Sequence, residues 1–329
     1  MYGYEIFHED ILKELIDAVH INQNRHAYLF LGPDGVGKKE AARLFAASLA
    51  CENTNVSPCG NCKACISARV DQNPDIKHIV PVDKKSISVE QARQIVLDAY
   101  IKPFQSQKKV YIIDDASLLT DAAQNCLLKV LEEPPEYVVF IIVTTSEDVI
   151  LSTIFSRCTT VRFPAVCKEE FKKYIENNFP EEIEKIDLLY SISSSKPGYA
   201  KQIIENPDYD QIREQSFKML TPLLSQHRIS AYTICDFIEE NSDNFELIFD
   251  LWIGFLRDIM LIQNDSKDII MNIDLHEKLE FLANNLTKNH TTIALEQLIT
   301  GKEMISKYVN LHTLILSVSF SIKNNIYKR

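Results

Sequence analysis

The stretch AYLFLGPDGVGKKEAARLFAASLAC, residues 27–51, decides how the first half of the chain folds. Its first six residues form an apolar run ending in Gly32, which reads as a buried strand. Its second half repeats apolar residues at helical spacing: Ala42, Leu44, Phe45, Ala46 and Leu49. Between them Gly32, Gly35, Gly37 and Lys38 fit the phosphate-binding pattern G-x-x-x-x-G-K-[ST], in the strand–loop–helix setting it needs. Backbone N–H groups of such a turn, opening onto a helix N-terminus, make an anion site. Lys38 would reach the β- and γ-phosphates. The last letter departs from the pattern, because Lys39 stands where a Ser or Thr hydroxyl holds Mg²⁺. That loss predicts against bound Mg²⁺ and leaves ATP or ADP binding an open question.

Outward from this stretch, strands are expected at 78–82, 109–115, 137–145 and 159–163. Helices are expected between them, one with Ser88 as N-cap and one ended by Pro134 and Pro135. Near-continuous apolar strands alternating with helices predict an α/β fold with a parallel sheet covered on both faces, through about residue 165. Beyond that point helical period dominates. Trp252, Phe255, Leu256, Ile259 and Met260 share one face, as do Leu311, Leu314, Ile315 and Val318, which predicts a helix-bundle core. A polar segment with Pro207, at 205–211, reads as a boundary.

The 329 residues suffice for two or three domains, and 46% hydrophobic with 25% charged residues is ordinary for a globular protein. A net charge of -11 argues against autonomous, non-specific nucleic-acid binding, which needs a local cationic surplus. No apolar run approaches a membrane span. MYGYEIFHEDILKEL lacks the basic and apolar regions of a signal peptide, so a cytoplasmic protein without membrane association is expected. In that compartment eight cysteines do not form a disulfide framework.

Four of them, Cys51, Cys59, Cys62 and Cys65, sit in CENTNVSPCGNCKAC with overlapping C-x-x-C steps. Four soft ligands at this spacing point to a structural, tetrahedral Zn²⁺. An iron–sulfur cluster and a redox dithiol use the same letters. Cys126, Cys158, Cys167 and Cys235 are isolated in sequence and read as small buried hydrophobes. In IIDDASLL an apolar strand ends in Asp114, a carboxylate suited to Mg²⁺, followed by Asp115, one methylene short of the Glu that usually activates water.

HAYLFLGPDGVGKKEAA, the four cysteines, NPDIKHIVP, ISVEQARQI, LLTDAAQNCLLKVLEEPP and TTSEDVILSTIFSRC follow one another in an order that resembles bacterial clamp-loader subunits of the AAA+ class. The resemblance is strong over residues 20–165 and weaker beyond. It implies an AAA+ P-loop domain over 1–165 with a zinc knuckle at 51–65, a helical lid over 166–208, and an all-α collar over 209–329. It also implies a ring of five subunits, of gamma/tau and delta type among others, that places a sliding clamp on primer–template DNA. Arg157 in FSRC matches an arginine that reaches a neighbouring subunit's ATP site, where it stabilises charge on the transferring phosphoryl group in trans. Thr144 or Thr145 matches the sensor position. Some subunits of the family hydrolyse ATP, as the gamma/tau type does, and others have a degraded site. Lys39, Asp115, and Gly198 at the position matching the lid arginine all depart from the hydrolysing pattern. The expectation is a largely non-hydrolysing subunit, with an ATP-hydrolysing gamma/tau-type subunit as the alternative.

Overall fold

A computed structural model describes residues 7–82, 86–224, 230–266, 269–305 and 310–326. Two compact units divide the chain. One runs to Tyr174 and includes Ser195–Gly198; the other comprises Ile175–Ser194 and continues from Tyr199. The boundary expected at 205–211 falls inside the second unit.

The first unit is built on five parallel strands: β1 (Ala27–Leu31), β2 (Ile76–Ile79), β3 (Lys109–Ile113), β4 (Val138–Thr144) and β5 (Thr159–Arg162). Their order across the sheet is β2-β3-β4-β1-β5. Every residue of β1, β3 and β4 is buried, as continuous apolar runs require when helices cover both faces. Leu29 pairs with Ile142, and Tyr111 pairs with Phe140 and stacks on it at 5.0 Å. Each such side chain contributes roughly 1.5–3 kcal/mol by leaving water. The helices of this unit include α1 (Glu9–His20), α2 (Lys38–Ala50), α3 (Lys63–Arg69), α4 (Val89–Ala99), α5 (Asp121–Glu132) and α6 (Ser152–Phe155). The expected N-cap holds: Ser88 accepts from the N–H of Gln91 at the start of α4. Thr120 does the same for Ala123 in α5.

The second unit is helical, with no strand among its described residues. α7 (Lys168–Asn178) leads into it, followed by α8 (Ile186–Ile192), α9 (Pro197–Glu205), α10 (Tyr209–Leu224), α11 (Ser230–Glu240), α12 (Phe245–Gln263), α13 (His276–Asn285), α14 (Lys288–Ile305) and α15 (Leu311–Ile326). The predicted apolar face of α12 is buried, apart from half-buried Met260. Trp252 sits in this core and donates from its indole N–H to the carbonyl of Ser216 at 2.8 Å. Buried Asp258 is satisfied by the N–H groups of Met271 and Asn272 and by the Asn272 amide. Among the described residues no helix is long and apolar enough to cross a membrane.

Candidate functional site

In a parallel sheet all strands end at the same edge, and the loops leaving that edge form a crevice. Here the ends of β1, β3 and β4 open on a cavity of about 190 Å³. Gly35, Gly37, Lys38 and Lys39 line it, with Asp114 and Asp115 beyond β3 and Thr144 and Thr145 at the end of β4. Residues separated by more than 100 positions thus line one cavity. Gly32 stands at the base, its N–H donating to the carbonyl of Thr144 at 3.3 Å. The cavity is smaller than the roughly 300–1,000 Å³ typical of small-molecule sites.

The side chains that would work on a nucleotide are bonded to the chain itself. Lys38 is buried, and its Nζ donates to the carbonyls of Gly32 at 2.7 Å and Pro33 at 2.6 Å. Burial lowers its pKa from the usual lysine value. Asp115 caps the 3-10 turn Ala116–Leu118, where its Oδ1 accepts from the N–H of Ser117 at 2.9 Å and from the Ser117 hydroxyl at 2.7 Å. Asp114 lies 3.7 Å from Nδ1 of His78, whose other nitrogen is 3.4 Å from Asp71. The buried Thr144 hydroxyl donates to the carbonyl of Ser146 at 2.9 Å, whereas Thr145 is exposed.

Three further residues complete the site. The ring of Phe7 lies over Gly37, so a Cβ there would come within 2.7 Å of the ring, and Gly37 has a φ of +94°. Phe7 also packs edge-on against Tyr174 at 4.9 Å. His8, with a φ of 59°, donates from Nε2 to the carbonyl of Val36 at 3.1 Å, and burial lowers its pKa. Neither residue follows from sequence, because both precede α1 and belong to no spacing rule. Gly198 donates its N–H to the carbonyl of Gly35 at 2.9 Å, and a Cβ at 198 would lie 3.2 Å from the Cα of Gly35. Backbone contact thus occupies the position matched to the lid arginine.

The four knuckle cysteines come together as predicted, with all four sulfurs within 4.8 Å of one another. Cys51 and Cys62 are 3.9 Å apart, close to the ~3.8 Å edge of a tetrahedron with Zn–S bonds of ~2.3 Å. Cys62 also caps α3, its sulfur accepting from the N–H of Cys65, while Cys59 accepts from Cys62 and Cys51 from Asn53 and Cys59, each at 3.4 Å. Amides of Asn61 and Cys62 pull the Cys59 thiol down to about 7, while burial pushes Cys51 and Cys65 up. Four thiolates here need a central divalent cation, and the donor set fits zinc.

Of the other cysteines, Cys235 is buried as expected, although it has polar neighbours, and Cys126 and Cys158 pack half-buried against the core of the first unit, whereas Cys167 is exposed and departs from the expectation.

Arg157 does not line the cavity. It follows α6, is partly exposed, and donates from Nη2 to Glu132 at 2.5 Å and from Nη1 to the carbonyl of Thr153 at 2.7 Å.

The family described as "DNA polymerase III, delta subunit" matches residues 7–166, and its C-terminal counterpart matches 207–318. The delta-prime subunit of DNA polymerase III from Bacillus subtilis is 27% identical over 310 residues, which cover 93% of each chain. This chain belongs to the clamp-loader subunit family of DNA polymerase III. The gamma/tau subunit from Mycobacterium tuberculosis, another family relative, is 41% identical over 148 residues. That match covers 44% of this chain and only 25% of the relative. A gamma subunit-related protein from Thermotoga maritima superposes with a TM-score of 0.48 at 19% identity, over 96% of this chain and 99% of that one.

Proposed function

We propose that the chain is a delta-prime-type clamp-loader subunit that does not itself hydrolyse ATP at a meaningful rate and instead supplies Arg157 to an ATP site on an adjacent subunit. One observation carries the reading. The groups that would act on nucleotide in this chain, Lys38 and Asp115, are bonded to its own backbone and to Ser117, while the arginine lies partly exposed, away from that cavity. A planar guanidinium reaching a neighbour's γ-phosphate stabilises transition-state charge, on the order of 10³-fold or more. In this scheme Glu132 and the Thr153 carbonyl hold the guanidinium until a neighbouring site offers a phosphate. Residues 166–208 act as lid and 209–329 as collar in a five-membered ring with gamma/tau and delta subunits, in the cytoplasm. The ring opens the sliding clamp and seats it on primer–template DNA. The four cysteines hold one structural Zn²⁺.

The test is reconstitution with those partners. Arg157→Ala is expected to leave folding and assembly unchanged, because a partly exposed ion pair contributes little to stability. DNA-stimulated ATP hydrolysis and clamp loading should fall about tenfold, less than the single-site effect because other sites in the ring stay intact. Arg157→Lys should rescue poorly, because it lacks the bidentate fork. Clamp loading at the parent rate by the alanine variant would reduce Arg157 to a surface ion-pair residue.

A further inference from the structure

A second cluster of metal-binding residue types lies in the helical unit, where the sequence shows only an isolated cysteine. Cys235 and Glu239 are one helical turn apart on α11 and so share a face. α15 packs against α11, and His312, its second residue, meets that face. Nδ1 of His312 lies 3.2 Å from the Cys235 sulfur and 2.5 Å from Oε1 of Glu239. The sulfur and that carboxylate oxygen are 4.0 Å apart.

This triangle resembles a Cys–His–acid nucleophile arrangement, but its geometry is wrong for one. A catalytic imidazole uses one ring nitrogen for the nucleophile and the other for the orienting acid. Here thiol and carboxylate converge on the same nitrogen. Nδ1 can give its one proton to Glu239 and the thiol can give its own to that carboxylate or to the His312 carbonyl, so without an ion the triangle is held by hydrogen bonds that a cation would replace. A cation at the centre of the triangle would satisfy all three. With metal–ligand bonds of ~2.0–2.3 Å, the edges of a tetrahedral site are roughly 3.3–3.6 Å, and each edge here is within about 1 Å of that.

We propose that Cys235, Glu239 and His312 form a second metal site that clips α11 to α15. A thiolate, an imidazole and a carboxylate together suit a borderline first-row cation, zinc above all. The buried sulfur anchors the ion from below. Glu239 and His312 are about half exposed, at 47% and 50%, so the fourth position faces solvent and takes water. With three ligands and an open position, this site binds more weakly than the four-thiol knuckle. It rests on residues of the helical unit alone, independent of the clamp-loader assignment.

The full chain, stripped of metal under reducing conditions, would be titrated with Zn²⁺ against a chromophoric chelator. Two classes of site are expected, one equivalent of each. Cys235→Ser, His312→Gln and Glu239→Gln should each weaken the looser class about tenfold or more and leave the tighter one unchanged. A Cys59→Ser/Cys62→Ser variant should do the reverse, so failure at the knuckle is read separately. In Co²⁺-loaded protein the second equivalent should add tetrahedral d–d bands, with a thiolate charge-transfer band that Cys235→Ser removes. Excess zinc should raise the unfolding temperature of the parent beyond that of Glu239→Gln, an exposed and isosteric change that leaves packing intact. A single class of site in the parent, or a looser class unaffected by all three substitutions, would overturn the proposal.

Discussion

The first unit carries two sites, each announced by a short motif, and they turned out differently. In the cysteine knuckle the four expected cysteines come together, with every sulfur within 4.8 Å of the others. In the phosphate loop the backbone takes up its turn, but Lys38 folds back on Gly32 and Pro33, Asp115 caps its own turn, and Gly198 presses on Gly35. A glycine loop keeps its shape through backbone sterics alone, whereas nucleotide chemistry needs each side chain free and aimed. The fold of a motif therefore outlasts its chemistry. The knuckle offers no such separation, because its ligands are its structure.

The most severe test of this contrast is Cys62→Ala, which removes both a proposed zinc ligand and the cap of α3. A structural zinc contributes to folding directly, so a loss of roughly 3–5 kcal/mol is expected, about 10 °C in a unit of this size. Thermal unfolding with parallel metal analysis measures it. An unchanged melting temperature would mean that the knuckle, like the loop, keeps its shape without its ligand.

A smaller effect tests the sheet that bears both sites. Burial alone would raise the pKa of Asp98, but hydrogen bonds from Lys77, Tyr111 and Lys109 outweigh it and hold the carboxyl down to about 2. A depressed folded-state value means stability that is present above the unfolded pKa of 3.8 and lost as pH falls toward 2. Asp98→Asn should cost roughly 2 kcal/mol at neutral pH, and the gap to the parent should close between about pH 4 and pH 2. Chemical denaturation across that range reads it, and a gap independent of pH would refute the ion-pair origin.

The smallest expected effect is the most pointed. Lys39→Thr combined with Asp115→Glu restores two letters of a working site. Turnover by the isolated chain should nevertheless stay at background, because Lys38 is still tied inward and Gly198 still closes on the loop. Steady ATP hydrolysis by the double variant would show that two letters alone separate the loop from an active site.

Much of this was legible beforehand for physical reasons. Apolar runs such as YVVFIIVTT can be buried only between two layers, which identified the sheet. C-x-x-C spacing set the knuckle, because the ligands lie within one short segment. Other features had no local signal. Phe7 over Gly37 joins parts of the chain 30 positions apart, and Cys235 looks solitary until α15 brings His312 to it.

The sequence by itself determined the parallel α/β unit, the helical remainder, the phosphate-loop turn, the four-cysteine knuckle and the family. Each rests on periodicity, on ligand spacing, or on a run of motifs along the chain. Only the tertiary structure decided where Lys38 points, what Asp115 binds, that Arg157 rests on Glu132, and that a thiol, a carboxylate and an imidazole meet at one nitrogen. A side chain's partner depends on which polar groups burial leaves within about 3 Å of it, and those groups come from segments that no spacing rule connects.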